Sequence, residues 1–241
     1  MNAITTTNLS KRYGNLTAVD NLNLTVKQGE LFALLGVNGA GKTTTIKMLS
    51  CLIKPSNGDA ILLGDSINEN PQSIKQKTNI SPQETSVAPN LTVCENLEFI
   101  AGIYGQDTKT AQQSASNMAK QFAIDNIRER KAKTLSGGMQ RRLSIAMALI
   151  TDPQILFLDE PTLGLDVLAR RELWMMIKSL KDKVTIILTT HYMEEVEALA
   201  DKIGVMNKGK LLSTGTAAEL IAQTNKNTLE DAFIALAGGA L

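Results

Sequence analysis

The chain has 241 residues, 43% of them hydrophobic, which suits one large domain with a sub-domain and a sizeable core. Lys and Arg number 25 against 24 Asp and Glu, a formal charge of +1, and this balance argues against the broad basic footprint of a nucleic-acid binder. Two cysteines, Cys51 and Cys94, are too few for a disulfide scaffold and suit a reducing compartment, with Cys51 expected to be buried beside the first helix.

The opening MNAITTTNLSKRYG lacks the apolar centre of a signal peptide. No stretch approaches the ~20 apolar residues that cross a bilayer. The expectation is a cytoplasmic chain that takes any membrane part from another protein. From Ala3 to Val26 apolar and polar residues partly alternate, with turn signals at Tyr13-Gly14-Asn15 and Lys27-Gln28-Gly29, which reads as short antiparallel strands. The apolar run Glu30 to Leu35 reads as a strand, Thr44 to Leu49 as a helix, and Asp59 to Gly64 and Thr78 to Ser81 as further strands.

From Val87 to Thr151 the pattern turns helical. Val93, Leu97, Ile100 and Ala101 share one face, and Gln106 to Gln121 reads as a solvated helix. The basic cluster Arg128, Arg130, Lys131 and Lys133 reads as a solvated face, with docking to a partner's loop as the sharper alternative. Beyond it, Ile155 to Leu158 and Val184 to Thr190 are continuous apolar runs of the kind buried on both faces of a parallel sheet. Ile203 to Met206, the turn Asn207-Lys208-Gly209 and a tail of helices complete the chain.

Between strand and helix lies Gly36-Val37-Asn38-Gly39-Ala40-Gly41-Lys42-Thr43, followed by Thr44. Glycines at these spacings let successive backbone N–H groups turn toward a phosphate, and the new helix points its positive end at the same anion. Lys42 would reach the terminal phosphates of a nucleoside triphosphate, and Thr43 would offer its hydroxyl to Mg²⁺. Asp159 and Glu160 end one buried strand. Asp159 suits the metal side, and Glu160 suits a general base that polarises the attacking water. His191 ends the other strand, where an imidazole could donate to the γ-phosphate. Leu135-Ser136-Gly137-Gly138-Met139 opens a further helix, a second anion site, with Leu143, Ala146, Met147 and Ile150 expected inward and Gln140, Arg141, Arg142 and Ser144 expected outward.

GVNGAGKT, Gln83, LSGGM, ILFLDE, Gly164-Leu165-Asp166 and His191, in this order, resemble the ATP-binding cassette (ABC) family of transporter ATPase subunits, from Tyr13 to about Glu219. The resemblance implies an α/β fold: a P-loop, RecA-like core with a mainly parallel sheet, an N-terminal antiparallel β sub-domain and an inserted helical sub-domain. It implies a single ATPase domain over 1–241, with the α/β core in 1–86 and 152–210, the helical signature part in 87–151 and a C-terminal extension in 211–241. It also implies a head-to-tail pair of cassettes, with Ser136, Gly137 and Gly138 of one copy meeting the nucleotide of the other and Asp166 at the interface. Tyr13 would stack on adenine, and Gln83 would contact Mg²⁺ and link the site to the membrane partner. The implied partners are a second cassette, in a homodimer, and an integral membrane permease on whose cytoplasmic side the chain sits, with ATP and Mg²⁺ as cofactors and no nucleic acid.

Two positions depart from the family pattern: Met139 stands where many members have Gln, and Leu163 where a small or polar residue is frequent. Leu91 to Leu97 and the tail from Thr228 resemble the exporting branch. A soluble member acting in translation or DNA repair is the alternative, although the insert has no sustained heptads of the kind a repair-type coiled coil needs. A stand-alone P-loop kinase or GTPase would leave LSGGM and His191 unexplained.

Overall fold

A computed structural model describes residues 1–238; the last positions of the expected C-terminal extension, 239–241, lie outside the described residues. The first sheet is antiparallel, as expected. It joins β1 (Asn2–Tyr13), β2 (Leu16–Leu22), β5 (Asn57–Leu62) and β6 (Asp65–Ser66) in the order β2-β1-β5-β6, with β3 (Thr25–Lys27) also on β1. The second sheet is the larger and runs β11-β10-β4-β9-β8-β7. It comprises β4 (Leu31–Leu35), β7 (Thr78–Ser81), β8 (Ile155–Asp159), β9 (Thr185–Thr190), β10 (Lys202–Asn207) and β11 (Lys210–Gly215). All its pairings are parallel except that of β10 with β11.

Every residue of β4, β8 and β9 is buried, because the side chains of each strand alternate between two cores. Phe32, Leu34, Phe157 and Ile187 face the antiparallel sheet together with Ile46 and Leu49 of α1 (Lys42–Leu49) and Ile74 of α2 (Pro71–Lys77). Leu31, Ala33, Leu156, Leu158, Ile186 and Leu188 face the helices on the other side.

Those helices begin with α3 (Val93–Ile103), α4 (Thr108–Gln121) and α5 (Gly137–Leu149), all carried between β7 and β8. The start of α3 is fixed by a capping box: Glu95 N donates to Thr92 Oγ1 at 3.1 Å, and Thr92 N donates to Glu95 Oε2 at 2.7 Å. In α4 the inward positions are Ala111, Ala115 and Ala119, small residues one turn apart that let α3 approach closely. Then come α6 (Val167–Lys178), α7 (Met193–Leu199), α8 (Ala217–Thr224) and α9 (Leu229–Leu236). Among the described residues no helix is long and apolar enough to cross a membrane.

Two expectations need correction. Cys51 is half-buried rather than buried, in a left-handed turn (φ 57°) that ends α1. Arg141 and Ser144 point inward, not outward, and are 4% and 5% exposed; their partners lie at the end of β7 and just past it, as described below.

Candidate nucleotide site

The loop between β4 and α1 is shaped by close approaches that only glycine allows. A Cβ on Gly36 would stand 2.5 Å from the Met206 carbonyl oxygen. Gly41, the residue before α1, has φ 102°, and a Cβ there would stand 2.5 Å from the Ala18 carbonyl oxygen. Lys42 is folded back under the loop. Its ammonium donates to the Gly36 carbonyl at 2.7 Å and the Val37 carbonyl at 3.2 Å, and lies 3.1 Å from Glu160 Oε1.

Parallel strands bring the remaining groups to the same end, since β8 lies beside β9 and β9 beside β4. Asp159 Oδ1 accepts from the hydroxyls of Thr43 at 3.1 Å and Thr189 at 2.5 Å. Glu160 sits just past the strand with φ 48°, a left-handed conformation uncommon for a non-glycine residue. Its N–H is bonded to Thr189 Oγ1 and to the Thr189 carbonyl, both at 3.1 Å. Its second carboxylate oxygen is 2.7 Å from His191 Nδ1. Thr189 thus serves both acids. A pair of threonines, Thr189 and Thr190, closing a fully buried strand was the available signal, and periodicity alone passes over it.

These groups border a cleft of about 660 Å³, a volume usual for small-molecule sites. Tyr13, Asn38 to Thr44, Gln83, Glu160 and His191 line it, as does Leu163, noted above only as a departure from the family pattern, and so do Leu16, Ala18 and Lys208, which sequence reasoning gave no part in the site. Tyr13 is 48% exposed at the rim, with the Lys11 ammonium 5.2 Å from its ring centre. Gly36 and Val37 lie beneath the loop with their carbonyls on Lys42, and Asp159 is buried behind Thr43.

Ser136, Gly137 and Gly138 do not border this cleft. Ser136 caps α5, its Oγ accepting from Met139 N at 3.3 Å, and Ser136 and Gly137 are exposed. Asp166 is also exposed and caps α6, accepting from Ala169 N at 2.9 Å. The basic residues ahead of α5 are exposed; Arg128 is bonded to Glu129, Arg130 to the Thr134 carbonyl and Lys133 to the side chain of Asn90.

Thr43 and Asp159 offer a hydroxyl and a carboxylate, the hard oxygen donors that Mg²⁺ takes. Among the described residues there is no cluster of three or more His, Cys, Asp or Glu suited to a metal. An ion here would therefore draw most of its ligands from water and from the phosphates, as Mg²⁺ usually does.

A strand, a glycine loop on a helix start and an acidic pair at the end of the next strand but one in the sheet define a P-loop nucleotide-binding domain of the ABC ATPase fold. The chain belongs to the ABC transporter family, whose model matches residues 19–163. It is 42% identical over 234 residues to the probable multidrug ABC transporter ATP-binding protein YbhF of Escherichia coli (strain K12), covering 95% of this chain and 40% of that one. The chain thus spans about two fifths of that relative. It is 39% identical over 228 residues to the daunorubicin/doxorubicin resistance ATP-binding protein DrrA of Streptomyces peucetius, covering 94% of this chain and 69% of DrrA. The ATP-binding cassette MJ0796, solved as a dimer in a post-hydrolysis state with ADP and Pi, superposes with a TM-score of 0.81 at 25% identity, covering 88% of this chain and 98% of that one.

Proposed function

We propose that this chain binds and hydrolyses ATP as the motor subunit of an exporter, working as a pair of cassettes on the cytoplasmic face of a membrane permease. The observation that carries the reading is the double engagement of Glu160, with Lys42 on one carboxylate oxygen and His191 on the other, at the mouth of a phosphate loop. The names of the relatives, multidrug transport and drug resistance, favour export.

In this reading the N–H groups of Asn38 to Thr44 and the Lys42 ammonium hold the phosphates, and Tyr13 stacks on adenine. Lys42 must leave Glu160 as phosphate arrives, which frees a carboxylate in a dry site to take a proton from the attacking water. His191 keeps its grip on the other oxygen and orients the base. Thr43, Asp159 and Gln83 would hold Mg²⁺, which neutralises charge on the phosphates when bound. Ser136, Gly137 and Gly138 serve the nucleotide of a second copy, because they stand away from their own cleft, and Asp166 lies at that interface. ATP closes the pair only if it binds the closed form more tightly, and the contacts from the second copy supply that difference.

The sub-regions 1–86 with 152–210 and 87–151 are assigned accordingly as α/β core and helical part, and the extension expected over 211–241 starts only after β11 (Lys210–Gly215), which belongs to the large sheet of the core. The test is purification of the chain from detergent-solubilised membranes with an ATPase assay. A co-purifying membrane protein and ATP-dependent turnover support the reading; stable association with ribosomes and no membrane partner overturns it.

A further inference from the structure

Three consecutive residues leaving the edge strand β7 are bonded to one face of α5. Ser81 Oγ and Ser144 Oγ are 2.8 Å apart, Arg141 Nη1 donates to the Pro82 carbonyl at 2.6 Å, and Arg141 Nη2 donates to the Gln83 carbonyl. Positions 141 and 144 are neighbours on a helix face. A buried arginine demands an explanation, since a charge removed from water is tolerated only when its donors are met. Burial weakens the hold of this guanidinium on its proton, while the nearby carboxylates Asp159 and Glu195 strengthen it.

No salt bridge pairs with this side chain among the described residues; two neutral carbonyls take its donors. A planar fork on two successive carbonyls fixes the rotation of that peptide pair as well as its position. The Gln83 side chain that this backbone carries lines the nucleotide cleft. At the other end of the relationship, Ser136 caps α5 five residues before Arg141, about 7.5 Å along a rigid helix.

We propose that Arg141 is a positioning residue that locks the Pro82–Gln83 backbone to α5, so that a displacement of Ser136 is carried to Gln83 in the cleft. The proposal rests on the function above in one respect, that Gln83 acts at the nucleotide. A contact made at Ser136 by a second copy's nucleotide would then be felt in this copy's own cleft through one helix and two hydrogen bonds. The same clamp holds Gln83 in place when nothing touches Ser136.

The test is ATP hydrolysis by the full chain carrying Arg141→Met, Arg141→Lys, Gln83→Ala, and Arg141→Met with Gln83→Ala. Methionine keeps much of the packing stem and removes the donors; lysine keeps the charge without the fork. The expected result is a fall in kcat of about tenfold for Arg141→Met with KM for ATP within about twofold, partial recovery with lysine, and less than about threefold further loss when Gln83→Ala is added. Losses that multiply in the double variant overturn the proposal, as does a kcat that falls only in step with melting temperature and is not recovered by lysine. If Arg141→Met does not fold, Arg141→Lys combined with Gln83→Ala completes the same cycle. A Gln83→Ala chain that turns over at the wild-type rate overturns the role of Gln83 at the nucleotide and the proposal with it. A slow Gln83→Ala chain whose loss multiplies with that of Arg141→Met overturns the clamp alone.

Discussion

Glu160 and His191 meet across the ends of two neighbouring strands, Oε2 to Nδ1 at 2.7 Å, with Glu160 buried and His191 part-exposed. The bond turns a flexible carboxylate into a fixed one, and Lys42 holds its other oxygen at 3.1 Å.

Replacing Glu160 with glutamine keeps the shape of this contact and removes the base. Turnover should fall by about 10²–10⁴ while ATP affinity stays within a few-fold, and the ATP-bound chain should accumulate as a dimer. Sedimentation with ATP and a single-turnover assay check both; hydrolysis at the normal rate would refute the assignment of the base.

Ser136→Ala should act on the paired state. Loss of the cap bond to Met139 N costs the monomer about 1 kcal/mol. On the proposed composite site, loss of a charge-assisted bond to the second copy's phosphate should cost a further ~1.5–3 kcal/mol of dimer stability, about tenfold or more in dimer affinity. In a Glu160→Gln background, titration by sedimentation should show that loss with monomer affinity for ATP unchanged. Equal losses in both measurements would count against a composite site.

Gly41→Ala places a side chain on backbone at φ 102° and a Cβ 2.5 Å from the Ala18 carbonyl oxygen. Stability should drop by ~1–3 kcal/mol, and because the displaced loop no longer aims its N–H groups, nucleotide affinity should fall tenfold or more. A fluorescent ATP analogue and a thermal melt measure the two effects.

Glu195 gives a pH signature. It is fully buried on α7, Oε1 accepts from Trp174 Nε1 at 3.0 Å, and Oε2 has no partner that meets hydrogen-bond geometry. Burial pushes its carboxyl above the ordinary value, against the pull of Thr190, Thr162 and Trp174 nearby. The folded chain therefore holds this proton more tightly than the unfolded chain. The stability so gained is complete below the unfolded pKa and is lost as pH rises through the folded one. Glu195→Gln, neutral at every pH, should match wild type in acid and exceed it in melting temperature at higher pH. A gap that stays constant across the titration would show that Glu195 does not titrate in this way.

Much of the site was legible because its chemistry is local. The glycine loop, the acidic pair and the histidine each follow an apolar run, and the strands β4, β8 and β9 are continuous enough to be read without partners. The order of the strands was not legible, since buried parallel strands resemble one another in sequence. Arg141 and Ser144 were misplaced for a different reason. Helical periodicity assigns polar side chains outward by default, and their partners, two carbonyls and a serine at the end of β7, leave no trace in the sequence of α5. Glu195 was missed on the same grounds, its indole partner lying 21 residues away on another helix.

The helices α3 to α5 leave the large sheet from β7 and return to it at β8, the strand beside it. Both ends of this long excursion are anchored within one strand spacing, so its closure entropy is already met by the sheet, and doubling a flexible loop adds only ~0.6 kcal/mol. Lineages can therefore lengthen, shorten or resurface α3 and α4 without re-registering a single strand. Variation can accumulate there while α5, which carries Ser136 and Arg141, stays as it is.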